Sequence, residues 1–259
     1  MNKIKVIDNN IEKDINKNIE VKVSENQEFF DVKKIVINVL KDSDLEIEYN
    51  NKNFKADIEI NLPENINFNL FELGINENLK VRYNYNLERF SNLTIHKFYD
   101  SKKVNELDEI NLNGECANVN FILKTIATDK QVYNLKVFHN AKNTISNLIN
   151  SGVNVTGSID FNVEGIVPNG IKDCELDQNN RIITFNDNVC KIDPKLLISE
   201  FDVVANHAAL IGKFDEDEVF YLMRLGIDYN SAIILLVKGF LLDGMFDERL
   251  DKIIEKYWR

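Results

Sequence analysis

Few residues of this chain suit chemistry, and their spacing narrows what they could do. Among 259 residues there are three histidines, His96, His139 and His207, and three cysteines, Cys116, Cys174 and Cys190. The cysteines are odd in number and lack C-x-x-C spacing, so neither a disulfide framework nor a zinc cage is expected; they read as reduced, buried thiols. His96 lies inside an alternating stretch and reads as ordinary surface or core. His139 reads as packing at a corner of the backbone, and His207, taken alone, as a polar residue at a strand end that helps to pack the next helix. Carboxylates are plentiful, but they alternate along the chain as a solvated face, and no paired cluster of the kind a glycoside-cleaving groove needs stands out. No G-x-x-x-x-G-K-[ST] phosphate loop occurs, so nucleotide hydrolysis is not expected of this chain.

The elements that would position these residues are set by periodicity. Strict or near-strict alternation of apolar and polar residues runs through 4–7, 19–23, 35–39, 45–49, 58–62, 66–70, 79–85, 93–96, 119–122, 132–138, 153–155 and 159–163. A period of two predicts half-buried strands. Some 200 residues of short strands fit a sandwich, a barrel, a propeller or a solenoid. No repeat of fixed length stands out, which disfavours a regular propeller and leaves an irregular β-helix with coils of unequal length. The recurrence of Asn, Ile and Lys reads as compositional bias, so an exposed asparagine carries little information here.

Near Phe214 the period changes. Asp215 followed by Glu218 predicts a helix start where the dipole favours negative charge, and Gly226 is placed for a left-handed cap. A second, almost wholly apolar helix is expected after Asp228, stopping near Gly244. A third is expected from Asp247, with Leu250, Ile253, Ile254 and Tyr257 as its apolar stripe. The chain thus divides into a β domain over 1–212 and a small helical domain over 213–259. A helical unit of this size cannot bury so continuous an apolar surface by itself, so part of it is expected to face a partner.

Composition excludes several classes. With 44% hydrophobic residues the chain can bury a large core, and a net charge of −11 leaves no general attraction for nucleic acid or anionic lipid. No stretch approaches the roughly 20 apolar residues of a membrane span, and residues 1–20 lack the apolar centre of a signal peptide. A cytoplasmic location is expected.

Two segments carry more than periodicity. Asp202-Val203, His207, Ala209 and Gly212, then the acidic run 215–218, Phe220-Tyr221-Leu222 and Gly226-Ile227, resemble the C-terminal signature of the SufB/SufD family, scaffold subunits of SUF iron–sulfur cluster assembly. Gly239-Phe240, after Val237, resembles the G-F of the next helix. Upstream, His139, Thr144, Ser146, Gly152, Phe161, Gly165-Ile166 and Gln178-Asn179-Asn180-Arg181 are similar to further family strings. The resemblance covers about 131–245. Residues 1–130 match by strand character only.

The resemblance implies a right-handed parallel β-helix followed by helices that dock a SufC-like ABC ATPase. It implies partner contacts at Phe220, Tyr221, Leu222, Gly226, Ile227, Val237, Gly239 and Phe240. Strand alternation starts almost at once where family members usually begin with helices, so the chain reads as an N-terminally trimmed member. SufB-type chains carry a cysteine and a His-Glu pair; here Asn179 stands at the cysteine position, and His207-Ala208 at the pair. An amide cannot hold iron or accept sulfur. Both departures imply a SufD-like, non-catalytic subunit that pairs with a SufB-like chain or with itself and shares a transient iron–sulfur cluster with its partner. His207 is then the metal-ligand candidate, because one ring nitrogen of a neutral imidazole can coordinate iron while the other donates to a neighbour. Cys174 and Cys190 flank Asn179 and could compensate for it. A structural subunit with no iron contact is the competing expectation.

Overall fold

The computed structural model describes residues 2–7, 10–25, 32–245 and 247–258. Its strands begin with β1 (Asn2–Ile7), β2 (Asn10–Asp14), β3 (Ile19–Glu25), β4 (Lys33–Val39), β5 (Ser43–Asn50) and β6 (Asn53–Leu62). They continue with β7 (Asn67–Gly74), β8 (Asn78–Leu87), β9 (Asn92–Tyr99), β10 (Lys103–Leu112), β11 (Asn118–Ala127) and β12 (Lys130–His139). The last are β13 (Ile145–Asn154), β14 (Ser158–Val167), β15 (Cys174–Thr184), β16 (Lys191–Ile198) and β17 (Val203–Gly212).

From β4 onward consecutive strands fall in different sheets. The odd strands β5 to β17 stack in parallel in one sheet, and the even strands β4 to β16 do so in the other. Each coil therefore gives one strand to each of two facing sheets, which is a parallel β-solenoid of about seven turns. The expected β-helix is the architecture observed. The N-terminal end is finished differently: β2 turns back antiparallel on β1, and β3 lies antiparallel on β4.

The coils lengthen along the chain, which hides the repeat. Asn86 donates to Asn61 across 25 residues, Asn162 to Asn134 across 28, and Asn150 to Asn180 across 30. Asparagine is thus more than compositional bias: an amide both donates and accepts, so identical amides in register bond from coil to coil at the roughly 4.8 Å strand spacing. Inside, aliphatic and aromatic side chains such as Ile60, Tyr85, Phe121 and Phe161 are fully buried, each contributing roughly 1.5–3 kcal/mol by leaving water.

Three helices come after the strands, α1 (Glu216–Arg224), α2 (Tyr229–Leu241) and α3 (Glu248–Glu255). Each starts at an aspartate whose carboxylate accepts from a first-turn amide: Asp215 from Asp217, Asp228 from Ser231 and Asp247 from Arg249. Gly226 takes the left-handed conformation with φ 86°. The helices fold back on the outer face of the nine-stranded sheet, where Val237, Ile233, Leu241 and Ile254 pack against Phe98, Ile122 and Val153. This is why β11 and β13 lose alternation in their second halves: both faces are covered. Arg249 pairs with Glu46 at 2.7 Å, and Lys256 and Tyr257 both bond Asp100, pinning the last turns to the solenoid.

Candidate functional site

The C-terminal end of the solenoid is open. β17 pairs only with β15, and β16 only with β14, so among the described residues one edge of each has no strand beside it. His207 lies on β17 in register with Gln178 of β15. Gln178 is buried in the interior, so His207 shares the inward-facing row. It is nevertheless exposed, because no further coil covers it. Its ring makes no hydrogen bond or ion pair among the described residues. Around it the last coil leaves Val204, Leu210, Ile211, Leu197 and Phe201 exposed, the last at 98%.

Asn179 stands in register with Ala208, on the opposite face from His207. The position that the resemblance aligns with a scaffold cysteine therefore points outward, towards the helices. Cys174 faces inward and is buried; its thiol lies 3.3 Å from Thr144 Oγ1. Thr144 meets His139 Nδ1 at 2.7 Å, and Ser146 meets the other ring nitrogen at 3.0 Å. Burial pushes the His139 pKa down to about 4, so this imidazole is neutral at pH 7 and serves as a hydrogen-bonded core group. Cys190 is half-buried, accepts from Asn154 at 3.3 Å, and burial pushes its thiol up, away from the reactive thiolate. Cys116 sits at a corner with φ 59°. His96 faces outward, half-buried, and burial lowers its pKa. Among the described residues no three His, Cys, Asp or Glu side chains converge closely enough to hold a metal ion. His207 offers one donor from one chain, and the remaining ligands of any cluster would have to come from elsewhere.

The C-terminal helices separate the residues that the resemblance assigns to partner contact. Phe220 and Tyr221 are exposed, the latter at 63%, as are Leu225, Tyr229 and Leu235. Leu222, Ile227 and Phe240 are half-buried in the helical core, and Val237 is fully buried. Buried under the helices, Val237 has no surface to offer a partner, contrary to the contact that the resemblance implies for it.

Sequence reasoning missed a charged cluster inside the solenoid. Lys97 is fully buried and bonds Glu106 and Asp108, each at 2.7 Å, with Glu72 at 3.7 Å. Glu72 also accepts from Tyr83 at 2.7 Å and Tyr99 at 3.0 Å. Burial pushes the Glu72 pKa up to about 7, and burial beside Glu106 holds Asp108 well above the carboxylate range. The signal was present as a period of two: Glu106 and Asp108 occupy inward positions between Val104 and Ile110 in β10, where apolar residues would have revealed the strand.

A two-sheet parallel solenoid, open at one end and carrying an imidazole on its terminal strand with a helical unit folded onto its flank, defines the class. The chain belongs to the SufBD family: the model for the SUF system FeS cluster assembly, SufBD core domain, matches residues 23–240. That match takes in most of the region that resembled the family by strand character only. The chain is 31% identical over 111 residues to the iron–sulfur cluster assembly protein SufD of Bacillus subtilis, covering 42% of this chain and 25% of that protein. It is 29% identical over 123 residues to the SufBD family protein ycf24 of Galdieria sulphuraria, covering 46% of this chain and 55% of that one. The matched regions thus span about a quarter and about half of these two relatives. No helix of the described residues is long and apolar enough to cross a membrane.

Proposed function

We propose that this chain is a SufD-like, non-catalytic subunit of a SUF-type iron–sulfur cluster assembly complex in the cytoplasm. Its open end joins a SufB-like chain, and His207 contributes one imidazole to a nascent cluster carried at the junction. The observation that carries the reading is the position of His207, inward-facing yet exposed on a strand whose outer edge is unpaired among the described residues. Asn179 and Ala208 supply neither a thiolate nor a carboxylate, so the sulfur-accepting chemistry belongs to the partner. The exposed Phe220, Tyr221 and Leu225 suit docking of a SufC-like ATPase, aromatic anchors being common at interface centres.

Co-expression with a cysteine-bearing SufB-like chain and a SufC-like ATPase tests this. The three chains should co-purify, and His207→Ala should leave the complex assembled while reducing the iron and sulfide it retains at least several-fold. A chain that stays monomeric in the presence of both partners would sink the reading. Intact complexes with unchanged cluster content in His207→Ala would instead favour a purely structural subunit. Self-association without a SufB-like chain would identify a second copy as the partner.

A further inference from the structure

A second polar site lies on the outer face of the nine-stranded sheet, beneath α2. Lys124, Ser151 and Arg181 stand in register on β11, β13 and β15, so an ammonium, a hydroxyl and a guanidinium form one row across the sheet. Neighbours in that row are roughly 4.8 Å apart along the ladder. Asn179 belongs to the next row, and Leu236, Gly239 and Phe240 of α2 form the opposite wall of a cleft of about 440 Å³.

Among the described residues neither cation has a counterion within ion-pair distance. Lys124 is 2% exposed, and its Nζ donates to Ser151 Oγ at 3.1 Å and to the Phe240 carbonyl at 3.4 Å, both neutral acceptors. Burial holds its pKa below the usual lysine value. The Phe240 carbonyl belongs to the last turn of α2, where a cation suits the helix dipole, so helix docking accounts for part of Lys124. It does not account for Arg181. That guanidinium lies 5.2 Å over the Phe240 ring and makes no hydrogen bond or ion pair among the described residues; its Nε is shut off from solvent with no partner. Glu218 and Asp243 line the cleft but are exposed; Asp243 attracts the Lys124 ammonium from beyond ion-pair distance, and neither carboxylate bonds Arg181. Arg181 is half-buried, a partly desolvated charge without a partner is costly, and a planar guanidinium fork matches two oxygens of a carboxylate or phosphate.

We propose that Lys124, Ser151 and Arg181 form a binding site for a small molecule bearing a carboxylate or phosphate group, with Asn179 as a further donor and Phe240 as an apolar wall. The cleft volume falls within the range of small-molecule pockets, and two of its donors, Lys124 and Ser151, are buried, out of reach of a broad protein surface. The proposal is independent of any role of His207.

Isothermal titration of the full chain with inorganic phosphate, pyrophosphate and citrate, at ionic strength held constant with sodium chloride, tests it. At least one probe should bind saturably at one site per chain, and the order of affinities would tell a phosphate site from a carboxylate site. Arg181→Gln and Lys124→Gln should each weaken binding about tenfold or more, as expected for losing a charge-assisted contact. An added Cβ at Gly239 would meet no atom within 4 Å, and Gly239 lines the cleft, so Gly239→Leu should occupy the cleft and block binding while both cations stay in place. Lys80→Gln, on the other sheet, should change nothing. Where a charge variant fails to fold, as judged by circular dichroism, Gly239→Leu carries the test. Absence of saturable binding by all three probes, or binding that folded Arg181→Gln and Gly239→Leu leave unchanged, would overturn the proposal.

Discussion

His207 stands in register with Gln178 across β15 and β17, an exposed imidazole beside an amide that is 1% exposed and whose oxygen has no hydrogen-bond partner among the described residues. Gln178 Nε2 donates to the Lys195 carbonyl at 3.4 Å, which fixes the amide and leaves its oxygen for another donor. An imidazole N–H on the adjoining strand is a donor of the right kind. Such a bond would hold the tautomer that leaves the other ring nitrogen free to coordinate.

Gln178→Leu separates the two roles of this amide. It removes one long hydrogen bond and one unsatisfied acceptor, so the urea unfolding free energy should move by no more than about 1 kcal/mol. Cluster retention by the assembled complex should nonetheless fall as it does in His207→Ala, and Gln178→Glu, which keeps an acceptor oxygen, should restore it in part. Full retention in Gln178→Leu would count against an orienting role.

Stability should depend on pH through the interior cluster. The Glu72 carboxyl rises from its ordinary 4.5 to about 7 in the folded chain because burial outweighs the attraction of Lys97. The folded state therefore keeps a proton that the unfolded chain gives up. The contribution is fully present below pH 4.5 and is lost as pH rises through 7, by up to about 3 kcal/mol. Urea titrations at pH 5 and pH 8 should show the decline, and Glu72→Gln, which does not titrate, should flatten much of it. Asp108, shifted in the same direction, accounts for a slope that remains.

Removing the cation is a harsher change than neutralising one acid. Lys97→Met leaves Glu106 and Asp108 facing each other without the ammonium that bonds both, and should cost about 3–5 kcal/mol at pH 7. Part of that loss should return at pH 5, because burial shifts the Asp108 carboxyl upward and the lower pH protonates it more fully. Thermal melts at the two pH values read this directly.

Two residues of the helical domain should respond oppositely. Tyr221 is 63% exposed, so Tyr221→Ala should shift stability by less than about 0.5 kcal/mol while weakening capture of a SufC-like ATPase. Val237 is fully buried under the helices, and Val237→Ala should cost about 2 kcal/mol, with any loss of ATPase binding tracking the loss of fold. Paired melting and pull-down measurements on the same preparations distinguish them.

The helices were legible because their signals are local: Asp215, Asp228 and Asp247 each sit one residue before a helix and accept from its first turn. Most strands were legible for the same reason. β10 was not, because Glu106 and Asp108 occupy inward positions that a period-two reading expects to be apolar, and only their distant partner Lys97 makes that burial tolerable. The row of Lys124, Ser151 and Arg181 was invisible for a different reason. Its members are 27 and 30 positions apart, and that spacing exists only through the coil-to-coil register. His207 was reached through resemblance, but its inward orientation at an uncovered edge comes from pairing with Gln178, which no local pattern encodes.

The unlike termini of the solenoid limit how copies can assemble. One end is finished by strands that reverse direction, β2 carrying the exposed charges of Glu12, Lys13 and Asp14, while the other presents bare parallel edges. Among the described residues β2 and β3 also keep one edge each without a strand beside it, but the charges on β2 discourage pairing there, so the bare parallel edges are the preferred face for a neighbour. Strand pairing through this route stops at two, so raising the concentration should saturate a dimer and never spin a fibre.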